Sequence, residues 1–401
     1  MNATNEPIFR LPEFTVHKLF TAKSEVTDWS ISDYLVPPIW SETRGENVKV
    51  AILDTGIARN HPDLKDAIVE TADFMRSASG VSDRVGHGTH VAGTVAARRN
   101  NTGCVGVAPA AKLYIAKVLG DEGYGTIEAI ENGIAWAIEK KVHIVSLSLG
   151  APQGSARLEA IINEAVRAGI IILAAAGNEG PGLNTIGYPA MYPGCISVAS
   201  VGRNRQVSRF SSRGGKLDIA APGENITSCY PENGLATMSG TSMATPFVTG
   251  VVSLLIGYAL TRSSPTPLNE KSIRNILRNT ATDAGRPGVD TDYGFGIVNP
   301  TAALAATKKL FESPVTPPPP VDPVPTDPAK RTVFTIADFT VSGLAKLAAG
   351  LQATDQKCDC QQAGIVSARG ILSTALTSGC RGPIGSRGGP SLAGPPGSSG
   401  C

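Results

Sequence analysis

Five near-continuous apolar runs mark the first half of the chain: VKVAILD (48–54), KLYIAKVL (112–119), VHIVSLSL (142–149), GIIILAAA (169–176) and CISVASV (195–201). Short uninterrupted runs of this kind predict strands buried on both faces. Between them the period changes. Ile127, Ile130, Ile134 and Ile138 recur at helical spacing within residues 127–140, and residues 156–168 form a second helical stretch. Strands alternating with helices predict an α/β domain in three layers, a mostly parallel central sheet between helices, with the chemistry at the C-terminal ends of the strands.

The pattern stops at SPVTPPPPVDPVPTDPAK (313–330), where fixed φ and missing N–H donors predict an extended polyproline linker. The chain then divides into an N-terminal extension (1–27), a folded domain (28–312), the linker (313–330) and a tail (331–401). One amphipathic helix is expected in the tail, on Phe339, Leu344, Leu347 and Leu351. Beyond it glycine recurs at every third position from Gly379, broken at Ser391. So short and interrupted a triplet register predicts a flexible Gly/Pro/Ser segment and not a self-sufficient triple helix.

Across 401 residues, 42% are hydrophobic, enough for a large core. Lys and Arg number 36 against 34 Asp and Glu, so the formal charge of +2 gives no reason to expect a nucleic-acid partner. No membrane span is expected, because the longest candidate run, 248–260, falls short of the roughly 20 apolar residues required. The first twenty residues mix charge and proline without the apolar core of a secretory leader, which predicts a cytoplasmic protein. Seven cysteines, four of them in the tail, spell no disulfide framework, and Cys358-Asp359-Cys360 lacks a second pair at zinc spacing.

Three segments place a reactive side chain among small residues: Asp54 ending a strand in AILDTG (51–56), His87 in GHGTHVAGT (86–94) and Ser242 in SGTSMATP (239–246), the last two each leading into an apolar helix. Together they supply a nucleophile, a general base and a carboxylate to orient the base. The order Asp, His, Ser excludes the chymotrypsin and α/β-hydrolase arrangements, and Ser242 lacks the G-x-S-x-G elbow. His87 and His90, three apart, lack the Glu and i+4 His of a zincin site.

With these motifs the chain resembles the subtilisin-like serine proteases over residues 28–307. The resemblance implies the subtilisin fold and a serine endopeptidase acting through an acyl-enzyme on Ser242. Within AAAGNEG (174–180) it implies that Asn178 donates to the oxyanion beside the Ser242 amide. Gly123-Tyr124-Gly125 and Ser148-Leu149-Gly150 resemble two edges that clamp an extended polypeptide substrate as an added strand. An S1 pocket of Leu149, Gly150, Ala175 to Gly177 and Gly187 is implied, small-walled and suited to a large apolar P1 residue. Glu179 at its rim could also accept Lys or Arg, and Ile127 and Ile130 would line S4.

Calcium is the implied cofactor. HPDL (61–64) and the loop RRNNTGCVGVAP (98–109) resemble the family's high-affinity site, with Asp63 and Asn100 as side-chain ligands and the carbonyls of Arg98, Thr102 and Cys104. Arg98 and Arg99 replace the usual neutral residues, Phe247 stands where the family commonly has His, and Tyr188-Pro189 matches a position that is often cis. In organisation the chain is most similar to the intracellular subtilisins, whose short extension lies across the active site; Phe9 to Phe14 is the matching inhibitory candidate, with Pro12 resisting cleavage. Family analogy also suggests a homodimer. Two alternatives remain at this point: a processing protease recruited to its target by the tail, and a catalytically silent binding protein on the same fold.

Overall fold

The computed structural model describes residues 8–262 and 268–312. The linker and tail expectations lie outside these residues. In chain order the elements are β1 (Phe9–Arg10), β2 (Thr15–Phe20), α1 (Trp29–Asp33), α2 (Val36–Ile39), β3 (Lys49–Asp54), β4 (Ile68–Asp73), α3 (His87–Ala96), β5 (Lys112–Lys117) and β6 (Tyr124–Gly125). There follow α4 (Ile127–Glu139), β7 (Ile144–Leu147), α5 (Ala156–Arg167), β8 (Ile171–Ala175), β9 (Cys195–Val201) and β10 (Ile219–Pro222). The described chain ends with β11 (Ile226–Tyr230), β12 (Gly234–Ser239), α6 (Thr241–Leu260), α7 (Glu270–Thr280) and α8 (Pro300–Glu312).

All five apolar runs become neighbours in one seven-stranded sheet, ordered β10-β9-β8-β7-β3-β5-β4, with every pairing parallel. Every residue of β7, β8 and β9 is buried, as helices on both faces require. Strand order turns around at β3, whose neighbours are β5 and β7. The crevice beyond the C-terminal end of β3 is therefore the topological switch point of the sheet, and Asp54 is the last residue of that strand.

The helices start where local chemistry caps them: Thr126 Oγ1 accepts from the Ala129 amide at α4, and Asn269 and Ser272 form a reciprocal capping box at α7. Helix α6 is apolar all round. Its residues 241–258 are all buried, so this 20-residue helix is a core helix. It begins at Thr241, several residues before the apolar run alone indicates, and so places Ser242 in its first turn with Pro246 inside it.

The elements that the sequence pattern did not announce are the strands β1, β2, β4, β6 and β10 to β12 and the helices α1, α2, α7 and α8. Strand β2 pairs with β12, extending the β11–β12 hairpin to three strands, and β12 runs directly into α6. The extension is thus built into the domain at the strand that leads to Ser242.

Candidate active site

At the sheet's switch point the Asp54 carboxylate is completely buried. Its Oδ1 accepts from the Thr55 amide (2.8 Å) and lies 2.7 Å from His87 Nδ1. An acceptor on Nδ1 places the imidazole proton there and leaves the lone pair on Nε2. Nε2 has no hydrogen-bond partner among the described residues, which frees it to take a proton.

His87 opens α3 behind Gly86, a cap residue with no side chain to satisfy the first-turn amides. Asp83 serves instead. One of its oxygens accepts from the amides of Val85 and Gly86 and from Thr55 Oγ1, and the other from the Thr89 amide and hydroxyl. Gly86 has φ +88°, and a Cβ there would lie 2.2 Å from the Tyr230 ring, so the turn that aims His87 requires glycine. Asp83 was missed in the sequence. An acidic residue just ahead of a glycine-capped helix was the available signal.

Ser242 is the second residue of α6, where the backbone N–H has no intrahelical acceptor and the helix dipole favours negative charge. Pro246 has no N–H to bond the Ser242 carbonyl four residues earlier. That carbonyl instead accepts from Ser148 Oγ (3.0 Å), tying the cleft edge to the nucleophile's turn. The Ser242 hydroxyl donates to the Ser148 carbonyl (3.3 Å) and not to His87, so the expected serine-to-imidazole hydrogen bond is not the one made in this state.

Asn178 follows β8. Its Oδ1 accepts from the Thr241 amide (3.0 Å) and hydroxyl (2.8 Å), an arrangement that points Nδ2 into the cleft. There Nδ2 donates to the Glu13 carbonyl at 2.6 Å. Thr241 is thus the residue that orients this amide, a role the sequence reading did not assign.

The two expected edges do flank one cleft, and residues 9–11 lie between them. Phe9 and Arg10 pair antiparallel with Gly125 and Tyr124, the Leu11 amide donates to the Gly123 carbonyl (3.2 Å), and Arg10 and Gly150 exchange both backbone bonds (3.0 and 2.9 Å). Phe14 packs against His87 with ring centroids 5.0 Å apart. A cavity of about 280 Å³ beside Arg10 and Pro12 is lined by Gly150, Ala151, Ala175 to Gly177, Glu179, Thr185 and Gly187. Leu149 is not among its walls but fully buried. Ile127 and Ile130 are buried at the start of α4, and the Tyr188-Pro189 bond is cis.

Residues 45–296 match the Subtilase family. The chain belongs to that family. It is 45% identical over 262 residues to subtilisin DY of Bacillus licheniformis, a match covering 65% of this chain and 92% of that protein. It is 44% identical over 276 residues to subtilisin Savinase of Lederbergia lenta (69% and 97% covered) and 43% identical over 284 residues to M-protease of Shouchella clausii (71% of each). The protein is a subtilisin-type serine endopeptidase whose substrates are polypeptides. The cytoplasmic expectation is corrected: these subtilisins and alkaline proteases point to an extracellular enzyme. It rested on a missing leader, and that absence carries no information about where the protein works.

Around the loop after α3 the subtilase brings its candidate calcium residues together. Asp63 is buried, with Oδ1 accepting from Asn100 Nδ2 (3.0 Å) and Oδ2 from the Cys104 amide (2.9 Å). Asn100 Oδ1 accepts from the Thr102 amide and hydroxyl (3.0 Å each). The loop folds so tightly over the carboxylate that a Cβ on Gly103 would sit 1.9 Å from Asp63 Oδ2. Arg98 turns its guanidinium onto the carbonyls of Pro109 and Asp66, and Arg99 stacks on Trp40, so both side chains engage groups other than Asp63.

One turn beyond His87, His90 is fully buried, its Nε2 3.0 and 3.2 Å from the carbonyls of Ile226 and Ala236. Burial lowers its pKa from 6.5 to about 3. Below about pH 6.5 the unfolded chain binds a proton that the folded chain excludes. Stability from this group is therefore full above that pH and falls toward pH 3, by up to about 1.4 kcal/mol per unit. Thermal unfolding followed from neutral to acid pH should show this slope, reduced in His90→Gln.

Proposed function

We propose that Ser242 is the nucleophile of this endopeptidase, that His87 takes its proton, and that Asp54 holds the Nδ1 proton and stabilises the imidazolium. Asn178 Nδ2 and the Ser242 amide receive the oxyanion. The 2.7 Å contact between Asp54 and His87, with Nε2 free, supports the base role. Asn178 Nδ2 already holding a carbonyl of the cleft segment supports the oxyanion role. A fluorophosphonate should label Ser242 alone in the chain lacking residues 1–14. Labelling at another serine would overturn the assignment.

Residues 8–14 act in this reading as a built-in inhibitor, and the backbone pairing of residues 9–11 with both cleft edges carries it. Continuing the pairing between Arg10 and Gly150 by two residues sets position 12 opposite Ser148. Pro12 has no N–H for the Ser148 carbonyl, which accepts the Ser242 hydroxyl instead. Because that hydroxyl and carbonyl are 3.3 Å apart, a residue bonded to Ser148 O would put its own carbonyl beside the nucleophile. The carbonyl at Asn178 belongs to Glu13, one residue further on. The segment thus fills the oxyanion position out of register with attack.

A large apolar P1 residue suits the cavity beside Pro12, whose walls are mainly Gly and Ala, with Glu179 at its rim held by Ser212 Oγ (2.8 Å). A peptide library varied at P1 should return Phe, Leu or Met above Gly and Asp. A flat P1 profile would refute the pocket assignment.

Calcium fits the Asp63 loop, since Asp63, the Asn100 side-chain oxygen and the loop carbonyls are hard donors held against one buried carboxylate. Binding requires the Asn100 amide to present Oδ1 in place of Nδ2. Its contribution would be cohesion of the loop after α3. Calcium at a hundredfold excess over Kd should add about 2.7 kcal/mol. Chelation should lower Tm by several degrees, and Asp63→Ala should remove that response. An unchanged melting curve in excess chelator would exclude the site.

A further inference from the structure

A second set of ligating atoms converges on the opposite side of Asp63 from Asn100. His61 Nδ1, an Asp63 carboxylate oxygen and Cys229 Sγ lie within 4.8 Å of one another, and Cys104 Sγ is 3.4 Å from Cys229 Sγ. All four residues are at most 2% exposed. They come from three places in the fold: the turn after β3, the loop after α3, and β11.

The imidazole is preset for ligation. Its Nε2 lies 3.0 Å from the Gly234 carbonyl, which can only accept, so Nε2 carries the proton and Nδ1 keeps its lone pair. The Asp63 amide donating to Nδ1 (3.2 Å) requires the same tautomer and is the bond a metal at Nδ1 would displace; Nδ1 is 4.0 Å from Asp63 Oδ2. A ligating histidine held by a backbone carbonyl through its other nitrogen is the usual arrangement around a bound metal.

The dimensions and chemistry select the ion. Zinc bonds of about 2.3 Å to sulfur and 2.0–2.2 Å to nitrogen and oxygen set tetrahedral ligands about 3.3–3.8 Å apart. His61 Nδ1, the Asp63 oxygen and Cys229 Sγ, all within 4.8 Å of one another, therefore close on such an ion when their separations shorten by about 1–1.5 Å, and Cys104 joins them through its 3.4 Å approach to Cys229 Sγ. Thiolate and imidazole ligands suit zinc and disfavour the hard cations calcium and magnesium. Glycines make the room: a Cβ on Gly93 would lie 2.8 Å from Cys229 Sγ.

We propose that this chain binds one zinc-class divalent cation through Cys104 Sγ, Cys229 Sγ, His61 Nδ1 and Asp63, a site distinct from the oxygen-lined loop of Asn100. Binding releases the two thiol protons to solvent and forms four metal–ligand bonds, with no change of oxidation state. Asp63 serves both sites, with Oδ1 accepting from Asn100 Nδ2 and Oδ2, 4.0 Å from His61 Nδ1, accepting from the Cys104 amide. The ion would clasp α3, which carries His87, to the hairpin leading into α6.

The test uses the full chain as Ser242→Ala to prevent self-digestion, reduced, metal-free and then saturated with calcium so that the oxygen site is filled. Titration with Co²⁺ should give one equivalent of tetrahedral visible absorption with a sulfur-to-metal charge-transfer band, bleached by Zn²⁺. The pair Cys104→Ser and Cys229→Ser together should lose the band while keeping the calcium-dependent Tm. Native mass spectrometry of the unsubstituted cysteines with Zn²⁺ should find one bound ion, independent of whether the serine variant folds. Absence of the band, or a band that persists in the double variant and so belongs to other cysteines, overturns the proposal. So does a disulfide joining Cys104 and Cys229 in the unreduced protein.

Discussion

Ser242→Ala is expected to reduce turnover by about 10⁶-fold, the loss measured in subtilisin itself on removing its nucleophile, a magnitude taken over from that relative. The physical reason lies in the division of labour around one side chain. Among the described residues His87 Nε2 has no partner, so its basicity serves to take the hydroxyl proton. Without that hydroxyl, the base and the Asp54 carboxylate have nothing to activate. Asn178→Ala, which removes one oxyanion donor, should cost a further-separated 10²–10³-fold, again by the measure of subtilisin. It should change kcat far more than KM, because the donor bonds most strongly to charge that exists only during the reaction. Measured with a chromogenic peptide on the chain lacking residues 1–14, equal kcat for Ser242→Ala and the parent would remove Ser242 from the mechanism.

Deleting residues 1–14 should raise the initial rate about a hundredfold. A tethered segment acts at an effective concentration of about 1 mM, so one that binds as a free peptide with a Kd of about 10 µM occupies the cleft about 99% of the time. The cut at residue 14 leaves β2 in place against β12, so the strand leading into the Ser242 turn keeps its partner. Pro12→Ala separates the register argument from simple occupancy. With an N–H restored at position 12, the segment can bond the Ser148 carbonyl and should be cleaved after residue 12, where the parent is spared. A full-length chain that matches the truncated one from the first seconds of reaction would show that the segment does not inhibit.

Much of this was legible along the chain. Periodicity located all five central strands within a few residues, because strands buried on both faces are apolar throughout, and it located α4 from its isoleucine spacing and α5 as a second helical stretch. The motifs carrying Asp54, His87, Asn178 and Ser242 were legible for a related reason: each needs glycine or another small residue within a few positions, so the backbone requirement is written beside the reactive group.

What the sequence determined by itself was therefore local: which residues form strands and helices, which side chains carry chemistry, and in what order they occur. Tertiary structure decided whatever depends on segments far apart in the chain. Asn178 meets Glu13 across 165 residues, Ser148 meets Ser242 across 94, and Cys104 meets Cys229 across 125. No periodicity encodes such meetings. The Ser242 hydroxyl faces the Ser148 carbonyl and not His87, and residues 9–11 are held between two edges more than a hundred positions away.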